Sequence, residues 1–197
     1  GYFLKSEPEG CTSGITGLKS CTFEPNVNVT LSNRQPGSTI KPLTYSLMLS
    51  QGYTAAFPFL DVATKFPGAT LDKPYEPVNY DGKFRGPISL RKSLGNSINI
   101  SAVKALQIVG VDNLINLSEK MGIKTFTDRS RFGLSLTLGG GETKLIQMTN
   151  AFATFANKGV HIDPNPILEV KDSQGNILYK ANAQGEKVMG EDVAFLI

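Results

Sequence analysis

Apolar residues recur at intervals of three and four positions in several parts of this chain, and a glycine follows each series. Such spacing places the apolar side chains on one face of a helix, and glycine is common just past a helix end. The series are Ile40, Leu43 and Leu47 before Gly52; Leu90 and Leu94 before Gly95; Ile100, Val103, Leu106 and Val109 before Gly110; Leu114, Leu117 and Met121 before Gly122; and Leu145, Met148, Phe152 and Phe155 before Gly159. The pattern predicts a helix in each of these regions.

Short strands are predicted between and after the helices. Residues 167–170 and 176–179 are rich in strand-forming residues, and the segment Asp172-Ser173-Gln174-Gly175 between them has the composition of a turn. This predicts an outer β-hairpin. The mixture of helices and short strands indicates an α/β (α+β) domain.

Residues 34–42, with the sequence RQPGSTIKP, contain the candidate chemistry. Pro36-Gly37 is a turn pair that ends extended chain, so the following helix is predicted to begin at Ser38. On a helix, Ser38 and Lys41 project from one face, so the lysine amine can accept the proton of the serine hydroxyl. The free N–H groups at the helix start would favour a developing negative charge.

Spacing alone leaves a second reading open, because Ser-x-x-Lys also occurs at Ser89/Lys92 and Ser101/Lys104. Those two serines are predicted to lie at or inside ordinary helical turns. A capping serine with an incidental solvated lysine is likewise an alternative for Ser38 itself. The spacing does not distinguish a nucleophile from a capping serine, so the residues that flank Ser38 must be considered.

A second polar motif is Ser97-Ile98-Asn99, and no other Ser-x-Asn occurs in the sequence. Gly95-Asn96 interrupts two helical patterns just before it, so Ser97 and Asn99 are predicted on a short loop where polar groups can face a cleft. The alternative is a turn that uses Ser and Asn only for local hydrogen bonds.

The string RQPGSTIKP resembles the nucleophile motif of penicillin-binding proteins, specifically the transpeptidase domain of the bifunctional class A type. The family carries Ser-x-x-Lys, then Ser-x-Asn, then Lys-Thr-Gly or Lys-Ser-Gly. Residues 136–159, LTLGGGETKLIQMTNAFATFANKG, are similar to the class A segment that leads into a long buried helix. The Gly139-Gly140-Gly141 run is interpreted as a tight turn, since no Gly-Lys-Ser/Thr of a phosphate loop follows it.

The resemblance implies a β-lactamase/D,D-transpeptidase-like fold, with a helical lobe against an antiparallel sheet. Lys-Thr-Gly and Lys-Ser-Gly do not occur in the sequence, so we expect an internal fragment with an incomplete sheet, truncated at both ends. Residues 34–197 are expected to form a partial transpeptidase domain that lacks the closing Lys-Thr-Gly strand. Residues 1–33 are expected to form an N-terminal segment, with a candidate insertion at 4–26.

The resemblance also implies a function and site residues. A D,D-transpeptidase would cross-link peptidoglycan stem peptides ending in D-Ala-D-Ala through an acyl-enzyme on Ser38, with Lys41, Ser97 and Asn99 as further catalytic groups. Ser38 and Asn99 would also bind substrate, and β-lactams would acylate Ser38. The alternatives are a D,D-carboxypeptidase, a serine β-lactamase-like hydrolase, or a non-catalytic β-lactam-binding domain, and this chain alone is expected to be an impaired enzyme.

Composition and charge limit the kinds of partner that this chain is expected to bind. With 197 residues, 40% hydrophobic and 19% charged, one globular domain is expected. The net charge of +3 is modest and scattered, so no nucleic-acid partner is expected. No apolar run in this sequence reaches the roughly 20 residues of a membrane helix, and we expect no signal peptide within it. The family implies the extracytoplasmic face of the bacterial cytoplasmic membrane, reached through an anchor outside this sequence.

Cysteine and histidine content bears on metals and disulfides. Cys11 and Cys21 are the two cysteines, and His161 is the single histidine. They cannot supply four clustered ligands, so we expect no metal and no cofactor. A disulfide between Cys11 and Cys21 would suit an extracytoplasmic protein and would contribute about 2–3 kcal/mol, while two free thiols are the alternative. His161 is predicted to be a loop residue rather than a catalytic base.

Overall fold

The structure is a computed structural model that describes residues 11–13, 19–21, 28–70, 73–182 and 184–197. Most of the predicted N-terminal segment and of the candidate insertion at 4–26 lies outside these ranges. The α-helices of the described residues are α1 (Lys41–Ser50), α2 (Leu90–Gly95), α3 (Asn99–Val109), α4 (Val111–Lys120), α5 (Leu145–Ala156) and α6 (Glu191–Leu196). The first five confirm the helices predicted from the apolar periodicity.

Helix α1 lies at the centre of the core. Leu43, Tyr45 and Met48 are 0% exposed, and so is Ile40 immediately before the helix. The helix packs against α2, α3, α4 and α6. Each fully buried side chain of this size contributes about 1.5–3 kcal/mol relative to an exposed one. Burial on all sides therefore holds α1, and the residues at its start, in a fixed position.

The strands are short and pair two by two. They are β1 (Cys11–Ser13), β2 (Lys19–Cys21), β3 (Asn33–Arg34), β4 (Pro58–Asp61), β5 (Phe66–Thr70), β6 (Lys73–Tyr75), β7 (Gly86–Ser89), β8 (Thr143–Lys144), β9 (Val160–His161), β10 (Glu169–Lys171), β11 (Ile177–Lys180) and β12 (Glu186–Lys187). All pairs are antiparallel: β1 with β2, β3 with β8, β4 with β7, β5 with β6, β9 with β12, and β10 with β11. The expected mixed fold is confirmed, with the antiparallel pairing present as two-stranded sheets in the described residues.

The helix predicted to begin at Ser38 begins with a different kind of turn. Gly37–Ile40 form a 3-10 helix, and α1 continues from Lys41. The reason is Pro42, which has no N–H and cannot donate the i to i−4 bond that an α-helix would direct to the Ser38 carbonyl. The Lys41 N–H donates to the Ser38 carbonyl instead, which is the tighter i to i−3 bond of a 3-10 turn.

Helix α5 buries a face that is shifted from the predicted one, because Met148 is buried and Phe155 packs against the core, but Leu145 and Phe152 do not. Leu145 is 54% exposed and Phe152 is 41% exposed, whereas Met148, Ala151 and Thr154 are buried. The large residues suggested a stripe through Leu145 and Phe152, but a pattern of large apolar residues does not detect the small buried side chains of Ala151 and Thr154. The prediction of a helix that ends at Gly159 is confirmed, and Gly159 has the positive φ of a helix stop.

The outer hairpin is confirmed with a shifted boundary. Strands β10 and β11 pair around a turn at Asp172, whose carboxylate accepts N–H bonds from Gln174 and Asn176 at 2.8 Å each. Asparagine and aspartate favour such turns because the side chain replaces a backbone acceptor.

Helices α3 and α4 meet at Gly110, which has a φ of +89°. The two helices together pass a length and hydropathy test for a membrane segment, but they are bent by 90° at this glycine. No single helix in the described ranges is long and apolar enough to cross a membrane.

Candidate active site

Lys41, the first residue of α1, is 1% exposed, and its ammonium has three hydrogen-bond partners. Nζ donates to the backbone oxygen of Ser97 at 2.7 Å, to Ser97 Oγ at 3.0 Å and to Asn99 Oδ1 at 2.7 Å. An ammonium group has three protons, so these bonds use all of them. The two polar motifs of the sequence, 56 to 58 residues apart, therefore meet at one amine.

Burial lowers the pKa of Lys41 from 10.5 to about 8. Desolvation penalises the charged form of an amine, and the three oxygens around Nζ belong to an amide, a hydroxyl and a backbone carbonyl rather than to a carboxylate. At pH 7 a group with a pKa of 8 is neutral in about one molecule in ten, against about one in three thousand at 10.5. The lysine is thus a usable base near neutral pH.

Ser38 lies one turn before Lys41 with its side chain exposed to solvent. Among the described residues, no hydrogen bond joins Ser38 Oγ to Lys41 Nζ, because the three ammonium protons are directed to Ser97 and Asn99. The two residues are adjacent on the helix entrance, as predicted, but the expected direct bond between hydroxyl and amine is not formed in this arrangement.

The turn that carries Ser38 is supported by a glycine from a distant part of the chain. Gly37 has a φ of +57°, and Gly139, with a φ of +90°, ends the 3-10 helix Leu134–Leu138. A Cβ atom on Gly139 would lie 2.3 Å from the Gly37 nitrogen. The glycine run is therefore the predicted tight turn, and its first member lets two backbones touch beside Ser38.

Ser97 lies on the predicted loop between α2 and α3 and has an unusual backbone conformation. Its φ is +53°, which is uncommon for a residue with a side chain. Its N–H donates to the Leu94 carbonyl at 2.9 Å, and its carbonyl accepts the Lys41 ammonium. Lys41 and the end of α2 together hold Ser97 in this conformation.

Asn99 is the first residue of α3 rather than a loop residue, and its side chain bridges two parts of the chain. Its Oδ1 accepts from Lys41, and its Nδ2 donates to the Val78 carbonyl at 2.8 Å. Because the lysine can only donate, the amide oxygen must face Lys41 and the amide nitrogen must face Val78.

Sequence reasoning missed Asp61 and Asn79, which lie behind Asn99. Asp61 is 0% exposed and Asn79 is 3% exposed, and the Asn79 amide contacts both the Asp61 carboxylate and the backbone of Asn99. Strand β4 alternates exposed and buried residues, so Asp61 falls on the inward side together with Phe59. An acidic residue at an inward strand position was the available signal.

The other two Ser-x-x-Lys pairs have the structural roles expected of them. Ser89 is the N-cap of α2, where its Oγ accepts the Lys92 N–H at 3.4 Å. Ser101 is buried inside α3, and the Lys104 ammonium donates to the Leu60 carbonyl at 2.6 Å. Neither pair joins Lys41, so the local context correctly separated the three occurrences.

His161 is not the loop residue that was predicted. It belongs to strand β9 and is 8% exposed, because β9 pairs with β12 and packs behind α5. Its Nδ1 lies 3.2 Å from Thr154 Oγ1 and its Nε2 lies 3.3 Å from Asp163 Oδ1. Neither partner belongs to the site around Lys41.

The backbone pairing of β1 and β2 places Cys11 opposite Cys21. The side chains of both cysteines lie outside the described part of the chain, so the disulfide between them stays a prediction.

Comparison with known proteins identifies the family. The family model described as the penicillin binding protein transpeptidase domain matches residues 16–195. The chain belongs to the penicillin-binding protein transpeptidase family. The Ser-x-x-Lys and Ser-x-Asn motifs that carry the resemblance to this family meet at Lys41.

Named relatives agree with the family assignment. The chain is 34% identical over 188 residues to penicillin-binding protein 2D of Bacillus subtilis, covering 95% of this chain and 27% of that protein. It is 35% identical over 151 residues to penicillin-binding protein 1A of Pseudomonas aeruginosa, covering 77% of this chain and 18% of that protein. These matches confirm the resemblance to class A transpeptidase domains.

The fold agrees as well. The crystal structure of penicillin-binding protein 1A from Haemophilus influenzae superposes with a TM-score of 0.75 at 27% identity, covering 85% of this chain and 29% of that one. The chain thus spans about a quarter of the length of such relatives, and the described helices and paired strands belong to a penicillin-binding transpeptidase fold.

Proposed function

We propose that this transpeptidase domain cross-links peptidoglycan stem peptides through an acyl-enzyme on Ser38. The observation that supports the proposal most directly is the buried amine of Lys41, held by Ser97 and Asn99 one turn from Ser38. A base with a pKa near 8 is matched to proton transfer at neutral pH.

In the first half of the reaction, Ser38 Oγ attacks the carbonyl carbon between two terminal D-alanines of a stem peptide. The neutral form of Lys41 accepts the hydroxyl proton as the Oγ–C bond forms. Collapse of the tetrahedral intermediate breaks the C–N bond, and the leaving D-alanine amine takes a proton that Ser97 passes from Lys41. The penultimate D-alanine remains bound to Ser38 as an ester.

In the second half, an amino group from a neighbouring stem peptide attacks the ester carbonyl. Ser97 removes a proton from this amine and passes it to Lys41, and the Ser38 Oγ–C bond breaks as the new amide forms. Ser38 recovers its proton from Lys41, so the enzyme returns to its starting state.

The start of the helix supplies electrostatic support. The backbone N–H of Ser38 faces the developing oxyanion as one of its donors, at the positive end of the helical turn that leads into α1. Asn99 binds the substrate amide. A depression of about 180 Å³ next to it is lined by residues that include Ser97 and Ile98, the two residues before Asn99.

β-Lactams are proposed to acylate the same serine, because their strained amide imitates the D-alanyl ending. The proposed substrate places the domain on the extracytoplasmic face of the bacterial cytoplasmic membrane, where stem peptides are exposed. We also propose that residues 34–197 form part of the transpeptidase domain. The third family motif is proposed to lie on a strand outside this sequence.

Hydrolytic relatives would share the acylation step. A D,D-carboxypeptidase or a β-lactamase-like hydrolase would deliver water to the acyl-enzyme instead of an amine, and a β-lactam-binding domain would stop at the ester. Product analysis with a stem peptide as donor and a second peptide amine as acceptor separates these outcomes from cross-linking.

The proposal is tested by labelling with a fluorescent penicillin, followed by mass mapping of the labelled peptide. This chain is compared with a form extended through the strand that carries Lys-Thr-Gly or Lys-Ser-Gly. We expect label on Ser38 in the extended form, loss of label in Ser38→Ala and unchanged label in the matched control Ser89→Ala. Removing one oxyanion donor costs about 10²–10³ in rate, so weak labelling is expected without the strand. Absence of label on Ser38 in the extended protein would refute the assignment.

A further inference from the structure

The start of α3 lacks a cap from its own segment. The residue before Asn99 is Ile98, an apolar side chain that cannot accept a hydrogen bond, and it makes no side-chain cap bond. The first N–H groups of a helix need partners from elsewhere when they are buried. Here the partner is Asn79, whose Oδ1 accepts from the Asn99 N–H at 2.9 Å and from the Ile100 N–H at 3.3 Å.

The orientation of the Asn79 amide is fixed by the buried carboxylate of Asp61. Asn79 Nδ2 donates to Asp61 Oδ1 at 2.9 Å and to Oδ2 at 3.0 Å, and it lies 2.8 Å from the Lys83 carbonyl. These three oxygens only accept, so the nitrogen must face them and Oδ1 must face α3. The backbone N–H of Arg85 also donates to the Asp61 carboxylate, at 3.0 Å, and fixes its position.

The residue next to Asn79 contacts the same target. The Val78 carbonyl accepts from Asn99 Nδ2 at 2.8 Å, which turns Asn99 Oδ1 towards Lys41 Nζ at 2.7 Å. The dipeptide Val78-Asn79 therefore holds both the backbone and the side chain of Asn99. A continuous set of hydrogen bonds runs from Asp61, which is 0% exposed, to the amine that serves Ser38.

We propose that Asn79, oriented by Asp61, is a positioning residue that sets Asn99, and through it the Lys41 amine, for acylation of Ser38. The proposal rests on the proposed function for its kinetic consequence. Its structural consequence, a fixed environment for Lys41 Nζ, can be measured without any reaction. Neither Asn79 nor Asp61 forms a hydrogen bond with Lys41, so their effect is transmitted by Asn99.

The test compares two asparagines from outside α3 whose side chains bind the backbone at opposite ends of this helix. Asn79 supports the start of the helix, while the Asn113 Nδ2 donates to the Val109 carbonyl near its end at 2.7 Å. We expect Asn79→Ala, in the extended protein, to slow Ser38 acylation at saturating fluorescent penicillin at least tenfold. The control Asn113→Ala is expected to stay within twofold, with the folded fraction of each variant verified by circular dichroism.

An exchange of side chains distinguishes positioning from general stability. Asn79→Asp faces the Asp61 carboxylate with another carboxylate and is expected to be as slow as Asn79→Ala. The double variant Asn79→Asp/Asp61→Asn restores a donor–acceptor pair between positions 61 and 79 and keeps an acceptor at the two α3 N–H groups, but it leaves the Lys83 carbonyl facing an oxygen. It is therefore expected to react faster than Asn79→Asp and more slowly than the wild type. Asn79→Asp keeps the size of the side chain, so its acylation rate tests the positioning role if Asn79→Ala does not fold.

The second readout is the nuclear magnetic resonance signal of Lys41 Cε in lysine-labelled protein without penicillin. We expect this signal to move in Asn79→Ala and to stay in place in Asn113→Ala. A folded Asn79→Ala protein with wild-type acylation, or with an unmoved Lys41 signal, would overturn the proposal. If the wild-type protein takes no label at all, the proposed function fails while the Lys41 signal still decides whether Asn79 positions it.

Discussion

Gly139 lies directly against Gly37, so the two backbones touch immediately before Ser38. A Cβ atom built on Gly139 would be 2.3 Å from the Gly37 nitrogen and 2.5 Å from its Cα. Real Cβ atoms do not approach backbone atoms this closely, so any other residue at position 139 would push the Ser38 turn outwards. The glycine run thus acts on the site from about a hundred residues away, without contributing a functional group of its own.

The first prediction follows from that contact. Gly139→Ala is expected to lower the free energy of unfolding by about 1–3 kcal/mol beyond the effect of its positive φ, because the new methyl group collides with backbone that cannot move freely. Gly52→Ala is the matched control, since Gly52 also has a φ of +90° but nothing lies within 4 Å of the added Cβ. Urea unfolding of both variants gives the comparison, and equal losses would show that the contact with Gly37 carries no strain.

The second prediction concerns Ser97, whose φ is +53°. Both Ser97→Gly and Ser97→Ala remove the hydroxyl that accepts from Lys41, but only glycine adopts this backbone conformation without strain. We expect Ser97→Gly to be more stable than Ser97→Ala by about 1 kcal/mol. The order of the two midpoints in chemical denaturation checks this, and a more stable alanine variant would contradict it.

The third prediction is the pH dependence of acylation. If neutral Lys41 is the base, the rate of Ser38 labelling should rise about tenfold per pH unit at low pH and level off above pH 8, where burial has placed the lysine pKa. Lys41→Arg stays charged throughout and should lose about 10²–10⁴ of the rate. A labelling rate that does not change between pH 6 and pH 9 would exclude Lys41 as the titrating base.

The fourth prediction is a stability change with pH that needs no substrate. The folded-state pKa of Lys41 is about 8 and the ordinary value is 10.5, so above pH 8 the unfolded chain retains a proton that the folded protein has released. The free energy of unfolding should therefore gain a contribution that rises with pH in this interval.

The pH dependence of the free energy of unfolding is best measured from pH 8 to pH 10. Above pH 10 the buried Tyr45, whose pKa is raised by desolvation and by Asp61, begins to act in the opposite direction. Lys41→Met lacks the titrating amine and should lose the rising contribution. The same pH slope in wild type and Lys41→Met would show that the lysine pKa is not lowered.

Local sequence patterns predicted much of the backbone around the candidate site. The proline and glycine before Ser38 marked the helix entrance, and Gly95-Asn96 marked the loop that carries Ser97. Both depend on backbone geometry within a few residues, which composition strongly constrains. The 3-10 form of the entrance was also available in principle, because Pro42 removes the N–H that an α-turn would need.

What the pattern could not provide were contacts between distant segments. The pairing of Asp61 with Asn79, and of Asn79 with the start of α3, depends on how strand β4 and the following loop fold back onto α3. The exposed Leu145 and Phe152 were misplaced for a related reason, since periodicity detects a helical face but not which neighbour it packs against. Small residues such as Ala151 and Thr154 carry little hydropathy signal even when they are fully buried.

The three oxygens around Lys41 Nζ differ in one respect that matters for proton movement. The Ser97 carbonyl and Asn99 Oδ1 only accept, whereas the Ser97 hydroxyl can also donate. When the amine gives up a proton, two N–H groups and one lone pair face three oxygens, and the hydroxyl is the one partner able to reverse its bond. Loss of one proton from Lys41 is therefore accompanied by reversal of the Ser97 O–H bond, so the charge of the lysine and the direction of this bond change together.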